Sequence, residues 1–197
     1  MAPEQTAGPG PKPLRLFIAA DIPDSVKTSL SDSVAPFRNR IPGARWTGSD
    51  GWHVTLKFLG ATWPRLLAEI EGAAARVAGS VHPFRSRLTR LGVFPGPNRA
   101  RVVWAGLEDR QGRFGSIVAG LDEALEEHFT PESRAFTPHL TVARLTPPRN
   151  IREFAPELPD TDVRSAPFTV DRLVLYRSHL SPRGATYEPM EEFPLSG

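Results

Sequence analysis

Two short runs, "HVTLKFL" at 53–59 and "HLTVARL" at 139–145, constrain this chain more than any other feature. Both have the frame His-x-Thr-apolar, and both read as strands because polar and apolar residues alternate. Successive side chains of a strand point to opposite faces. His53 and Thr55 therefore share one side, roughly 6.6 Å apart along the strand, and Val54, Leu56 and Phe58 are expected on the other. His139 and Thr141 repeat the pattern, with Leu140 and Val142 inward. A fold for this sequence has to bring two imidazole–hydroxyl surfaces to strands far apart in the chain.

The remaining patterning supplies the frame. "LRLFIAADI" (14–22) reads as a strand. The helical spacing of Val26, Leu30, Val34 and Phe37 follows, with Asp24 or Ser25 as the cap. Residues 64–79 read as a helix opened by Pro64. Residues 84–94 and 100–108 read as two strands joined by the turn "PGPNR", which favours antiparallel pairing. Phe114, Ile117, Val118, Leu121, Leu125 and Phe129 place a helix over 113–129. A short helical piece is expected near 150–155, and "FTVDRLVLYRS" and "ATYEPMEEFPL" read as closing strands. Strand and helix alternate in both halves, each cycle ending near a His-x-Thr strand. The fold class is therefore α+β, with two similar lobes. Residues 1–13, rich in Pro and Gly and without the apolar centre of a secretory signal, are expected to be a disordered lead-in to a single domain over 14–197.

Composition narrows the chemistry. The chain contains no Cys, so disulfides, thiolate nucleophiles and Cys-bound zinc are excluded, and a cytoplasmic location is expected. No apolar run approaches the roughly 18 to 20 residues of a membrane span. Net charge is only +2, yet all basic residues except Lys12, Lys27 and Lys57 are Arg. Arg suits bidentate phosphate recognition, although a GC-rich coding sequence enriches it equally well.

Two histidines and two hydroxyls facing one space suit in-line phosphoryl transfer without a metal. One imidazole takes the proton of the attacking oxygen, and the other protonates the leaving oxygen. The Thr hydroxyls donate to the non-bridging oxygens as charge builds there. A lone strand His is more often a half-buried structural residue, but two in one frame shift the balance. Zinc binding is the weaker reading, since neither motif carries an adjacent Asp or Glu. His82 falls in a loop, His128 near a helix C-terminus and His179 in a turn-rich stretch. Phe94, Phe58, Trp46 and Tyr187 are candidates to stack on bases, with core packing the competing role for each. Arg45, Arg99, Arg101 and Arg134 lie near the motifs and could guide an RNA backbone, or simply be solvated.

These motifs resemble the two-histidine phosphoesterase superfamily, specifically its RNA 2′,3′-cyclic phosphodiesterases, also called 2′-5′ RNA ligases. "RLFIAADIP" resembles the family's opening strand, "WHVTLKFLG" its first motif and "LGVFPGPNRARVVWAGLE" its middle hairpin. "RAFTPHLTVAR" resembles its second motif, and "LVLYRSHLSPRGATYEPMEEFPL" its closing strands. The resemblance implies a bilobal fold in which two antiparallel sheets form a central cleft, with helices outside. It also implies an enzyme without metal or cofactor that hydrolyses RNA 2′,3′-cyclic phosphate ends to 2′-phosphates, with reversible 2′-5′ RNA ligation alongside. His53 is then the general acid, His139 the general base, and Thr55 and Thr141 phosphate ligands. Arg144 matches an arginine that contacts phosphate, and Phe94 is assigned to substrate binding. Strict alternation sends Arg144 to the face opposite His139, so a bulge or the strand's end has to re-aim it. The implied partner is RNA with a 2′,3′-cyclic phosphate terminus, tRNA fragments included, acted on by a monomer away from membranes. A small cyclic nucleotide or ADP-ribose cyclic phosphate is the alternative substrate, and a non-catalytic nucleotide- or RNA-binding module the third reading.

Overall fold

The computed structural model describes residues 12–131, 134–182 and 184–197, so most of the expected lead-in lies outside the described residues. In chain order the elements are β1 (Leu14–Asp21), α1 (Asp24–Val34), β2 (Ala44–Trp46), β3 (His53–Thr62), α2 (Leu67–Gly79), β4 (Phe84–Ser86) and β5 (Leu88–Phe94). They continue with β6 (Ala100–Leu107), α3 (Arg113–Ala124), β7 (His139–Arg149), β8 (Phe168–Val170), β9 (Arg172–Ser181) and β10 (Gly184–Pro194). Two four-stranded antiparallel sheets result, ordered β10-β9-β1-β3 and β2-β7-β6-β5, with a small β4–β8 ribbon beside them. Each His-x-Thr strand belongs to a different sheet, and the two strands, β3 and β7, touch. The α+β bilobal architecture expected from the sequence is the one observed. Among the described residues no helix is long and apolar enough to cross a membrane.

β1 lies between β9 and β3, which explains its five successive buried residues. Leu16, Ile18 and Ala20 join the main core, whereas Phe17 and Ala19 are buried on the opposite face, the one that carries His53 and Thr55. The outer face is closed by helices whose apolar stripes match it: Ile70, Ala73, Ala74 and Val77 on α2, and Phe114, Ile117, Val118 and Leu121 on α3. Asp109 secures the start of α3 by accepting hydrogen bonds from the backbone N–H of Arg113 (2.7 Å) and Phe114 (3.1 Å).

Several local expectations are corrected. Asp24 and Ser25 do not cap α1. Pro23 holds the cap position, and its carbonyl accepts from the N–H groups of Val26 and Lys27 at 3.0 Å. Residues 84–94 form two strands instead of one, because β4 leaves the sheet to pair with β8, and the first closing segment, "FTVDRLVLYRS", divides likewise into β8 and β9. The α3 helix ends at Ala124; Leu125 is buried beyond it in a turn. The short β2 has no alternation long enough to be read in sequence, and it forms through its pairing with β7.

The most consequential departure lies within the motif strands. In β3, Ala19 pairs with Thr55 and Ile18 with Lys57, so Leu56 is an extra residue. In β7, Trp104 pairs with Thr141 and Val103 with Ala143, so Val142 is extra. Both strands therefore contain a β-bulge directly after the Thr, and both show the same burial order from His onward: half-buried, buried, half-buried, buried, buried, exposed, buried. Lys57 is turned inward by its bulge, where it is 6% exposed and pairs with Asp122 of α3. Phe58, expected inward, is 53% exposed and returns to the face of His53. Removing one member of a buried ion pair strands the other charge, at a cost of about 3 to 5 kcal/mol. Asp122→Ala should therefore lower the stability read by urea unfolding by about that amount, while Lys57→Met with Asp122→Leu should be far milder; equal losses in the two proteins would contradict this account.

Candidate active site

His53 opens β3, directly across from Asp21 at the end of β1. Its ring stacks on Phe17 at 4.7 Å between centroids and lies 5.8 Å from Tyr176. Tyr187 meets it edge-on at 5.0 Å. The Tyr176 hydroxyl donates to Asp21 Oδ1 at 2.8 Å, and burial together with that carboxylate pushes its pKa well above the ordinary value. Burial among these rings lowers the His53 pKa from 6.5 to about 4, opposed by Asp21 and assisted by Lys27. The imidazole is therefore neutral in the free protein near pH 7, next to a carboxylate that favours its protonation.

His139 is set differently. It opens β7 opposite Gly106, and its Nδ1 lies 2.7 Å from the Thr137 carbonyl oxygen. A carbonyl only accepts, so Nδ1 carries the proton and the Nε2 lone pair is left for chemistry. Phe94 meets the ring edge-on at 5.2 Å and stacks on Trp104 at 5.0 Å. Trp104 lies flat across β5 at Gly92, where a Cβ would fall 2.1 Å from the indole, so only glycine fits.

Thr55 and Thr141 each share the face of the His two residues before them. Beyond the bulges, Phe58 and Arg144 occupy equivalent positions on that same face. The difficulty with Arg144 is thus resolved by the backbone: the extra residue Val142 restores the parity that simple alternation takes away. Arg144 is exposed and lies directly across from Arg45 of β2. Like charges in this position repel, and among the described residues neither forms an ion pair with a carboxylate.

One hydroxyl ties the two motifs together. Thr47 Oγ1 accepts from the indole N–H of Trp52 at 2.9 Å, the residue just before His53. It donates to the carbonyls of Val142 (3.0 Å) and Thr141 (3.1 Å), and the Thr47 N–H also reaches Val142 O at 3.0 Å. Thr47, Trp52, Asp21, Tyr176, Phe17 and Trp104 were not singled out as site residues by sequence, although all but Thr47 lie in the quoted segments; their roles come from pairings between distant strands.

Other candidates lie elsewhere. His128 contacts Glu69 at 3.1 Å, and His179, in strand β9 and not a turn, contacts Glu188 at 2.7 Å. The one grouping of potential metal donors among the described residues, Glu69, Glu127 and His128, is exposed and includes neither motif histidine. A cavity of about 770 Å³ beside the β4–β8 ribbon is lined by Arg85, Arg87, Arg110 and Arg113 and contains neither motif. Trp46 lies on the face of Ala143 with Arg38 5.8 Å from its ring, away from the Thr141 face.

Two antiparallel sheets, each with one His-x-Thr strand and meeting where those two strands touch, have the architecture of a two-histidine phosphoesterase. Comparison with known proteins makes this specific. Residues 22–182 match the 2′-5′ RNA ligase superfamily, and the chain belongs to that family. It is 33% identical over 186 residues to an RNA 2′,3′-cyclic phosphodiesterase of Methanothermobacter thermautotrophicus, covering 92% of this chain and 99% of that one. A Methanocaldococcus jannaschii protein of the same name is 29% identical, with 91% and 100% covered. Among solved structures, TT0787 of Thermus thermophilus superposes with a TM-score of 0.77 at 31% identity, over 93% of this chain and 99% of that one. Escherichia coli LigT complexed with 3′-AMP shares the fold, with a TM-score of 0.70 at 24% identity over 94% and 100% of the two chains.

The depressed His53 pKa has two measurable consequences. By NMR, His53 should titrate near pH 4 in the free protein, and lower still in Asp21→Asn; a midpoint near the ordinary 6.5 would contradict the burial argument. The unfolded chain binds the extra proton between about pH 4 and 6.5, so this group makes stability rise with pH through that window and flat above it.

Proposed function

We propose that this protein hydrolyses the 2′,3′-cyclic phosphate at the end of an RNA to a 2′-phosphate, with His53 and His139 as its proton carriers. The observation that carries the reading is the repeated unit itself: two strands with the same His-x-Thr frame, the same bulge and the same burial order, joined through Thr47. The family and its curated relatives supply the substrate class.

The residues divide the work by their surroundings. His139, with Nδ1–H committed to Thr137, uses Nε2 to take a proton from water as the water oxygen attacks phosphorus. The bond from phosphorus to the 3′ oxygen breaks, and His53 gives that oxygen its proton. A neutral His53 has to gain a proton to do this. Asp21 favours the imidazolium already, and the negative phosphodiester arriving beside it acts in the same direction. Thr55 and Thr141 donate to the non-bridging oxygens, and Arg144 neutralises charge on the phosphate. Phe94 orients the His139 ring and borders the substrate. A 5′-hydroxyl in place of water gives a 2′-5′ linkage through the same bond changes, which accounts for reversible ligation. The reading takes the enzyme to act as a cytoplasmic monomer on RNA ends such as tRNA fragments, and the absence of Cys fits a reducing compartment.

Positioned proton transfers are each worth about 10² to 10⁴ in rate. His53→Ala and His139→Ala should each lower kcat on a cyclic-phosphate RNA end by at least about a hundredfold while circular dichroism stays native; normal turnover in both would end the proposal. The wild-type pH profile of kcat/KM should be bell-shaped. Activity should survive exhaustive chelation, and loss restored by a divalent ion would instead assign the chemistry to a metal.

A further inference from the structure

Isolated apolar side chains on a surface are common and usually carry no message. Phe58 differs in its placement. It sits between Lys57 and Leu59, which are 6% and 7% exposed, yet is itself 53% exposed. The bulge at Leu56 turns it onto the face of His53 and Thr55, and it pairs across the sheet with Phe17, the ring on which His53 stacks. The aromatic wall of the His53 side therefore continues along β3 to Phe58, whose partner Phe17 lies two residues along β1 from Ala19, the partner of Thr55, roughly 6.6 Å at about 3.3 Å per residue.

The ring is also held. The Arg15 guanidinium lies over one of its faces, 4.6 Å from the centroid, and no other aromatic ring packs on it among the described residues. A cation behind one face fixes the ring and leaves the other open. Across the cleft the equivalent position is Arg144, with Arg45 beside it. One wall thus ends in a π face and the other in paired guanidiniums. A single RNA strand has matching sides, bases along one edge and phosphates along the other.

We propose that Phe58, backed by Arg15, is a base-stacking platform that selects polynucleotide ends over mononucleotides. The base stacked there belongs to the nucleotide preceding the one that carries the cyclic phosphate. The inference rests on the function proposed above and adds the reason why the substrate is a chain. Stacking on an aromatic side chain tolerates every base, so the platform reads chain length and not sequence.

The test compares adenosine 2′,3′-cyclic phosphate with the dinucleotide ApA ending in a 2′,3′-cyclic phosphate. For the wild-type protein kcat/KM should favour the dinucleotide. Phe58→Ala should reduce that preference about tenfold, through KM and not kcat. Phe58→Trp should restore it, and Trp63→Ala, an exposed aromatic beyond the end of β3, should leave it as it was. A preference unmoved in Phe58→Ala, or a loss carried by kcat on both substrates, overturns the platform. If the wild-type protein opens neither substrate, the proposed function has failed. Fluorescence anisotropy with labelled ApA ending in a 2′-phosphate then decides the platform separately: about tenfold weaker binding by Phe58→Ala supports it, and equal binding by the two proteins overturns it.

Discussion

The Thr47 hydroxyl is the point on which the site's geometry depends. Its oxygen accepts from the Trp52 indole and its proton goes to the carbonyls of β7, so the residue before His53 is linked through Thr47 to the strand that begins at His139. Trp52 is 2% exposed, so its N–H relies on the Thr47 oxygen as its partner. Loss of such a bond leaves a buried donor unsatisfied, which costs about 1 to 3 kcal/mol. That penalty holds two sheets in one relation, and the two histidines open strands that already touch.

The two motif strands present their His-x-Thr face through the same backbone device. Regular alternation would place Phe58 and Arg144 on the core-facing side of their strands. The extra residues Leu56 and Val142 prevent this and give each strand three cleft-facing positions: imidazole, hydroxyl, and then a ring or a guanidinium. The same bulge buries Lys57 against Asp122, so a charged residue of the motif becomes part of the attachment of α3. Site and scaffold are thus coupled within a few residues.

What could be read from sequence follows from these facts. His53, Thr55, His139 and Thr141 obey the two-residue period up to the bulge, and their shared faces were legible. So were the helices, whose apolar stripes are long. Phe58 failed because a bulge adds a residue without a sequence marker: Leu56 and Lys57 read as apolar-polar alternation until Asp122, 65 positions away, supplies a partner for the buried ammonium. Asp21 and Tyr176 were invisible for a related reason. Their meeting depends on β1 pairing with both β3 and β9, and no local pattern encodes that order. The unlike settings of the two imidazoles, one desolvated among rings and one bonded to a carbonyl, are likewise tertiary properties.

The account stands on one phosphorus atom lying between two imidazoles, and a crystal structure with a nucleoside 2′-phosphate bound tests this most directly. It predicts one phosphate whose oxygens lie within hydrogen-bonding distance, about 2.6 to 3.2 Å, of a ring nitrogen of His53 and of Nε2 of His139, with the Thr55 and Thr141 hydroxyls on the same group. A phosphate held by one histidine alone, or bound among the arginines beside the β4–β8 ribbon, would contradict it.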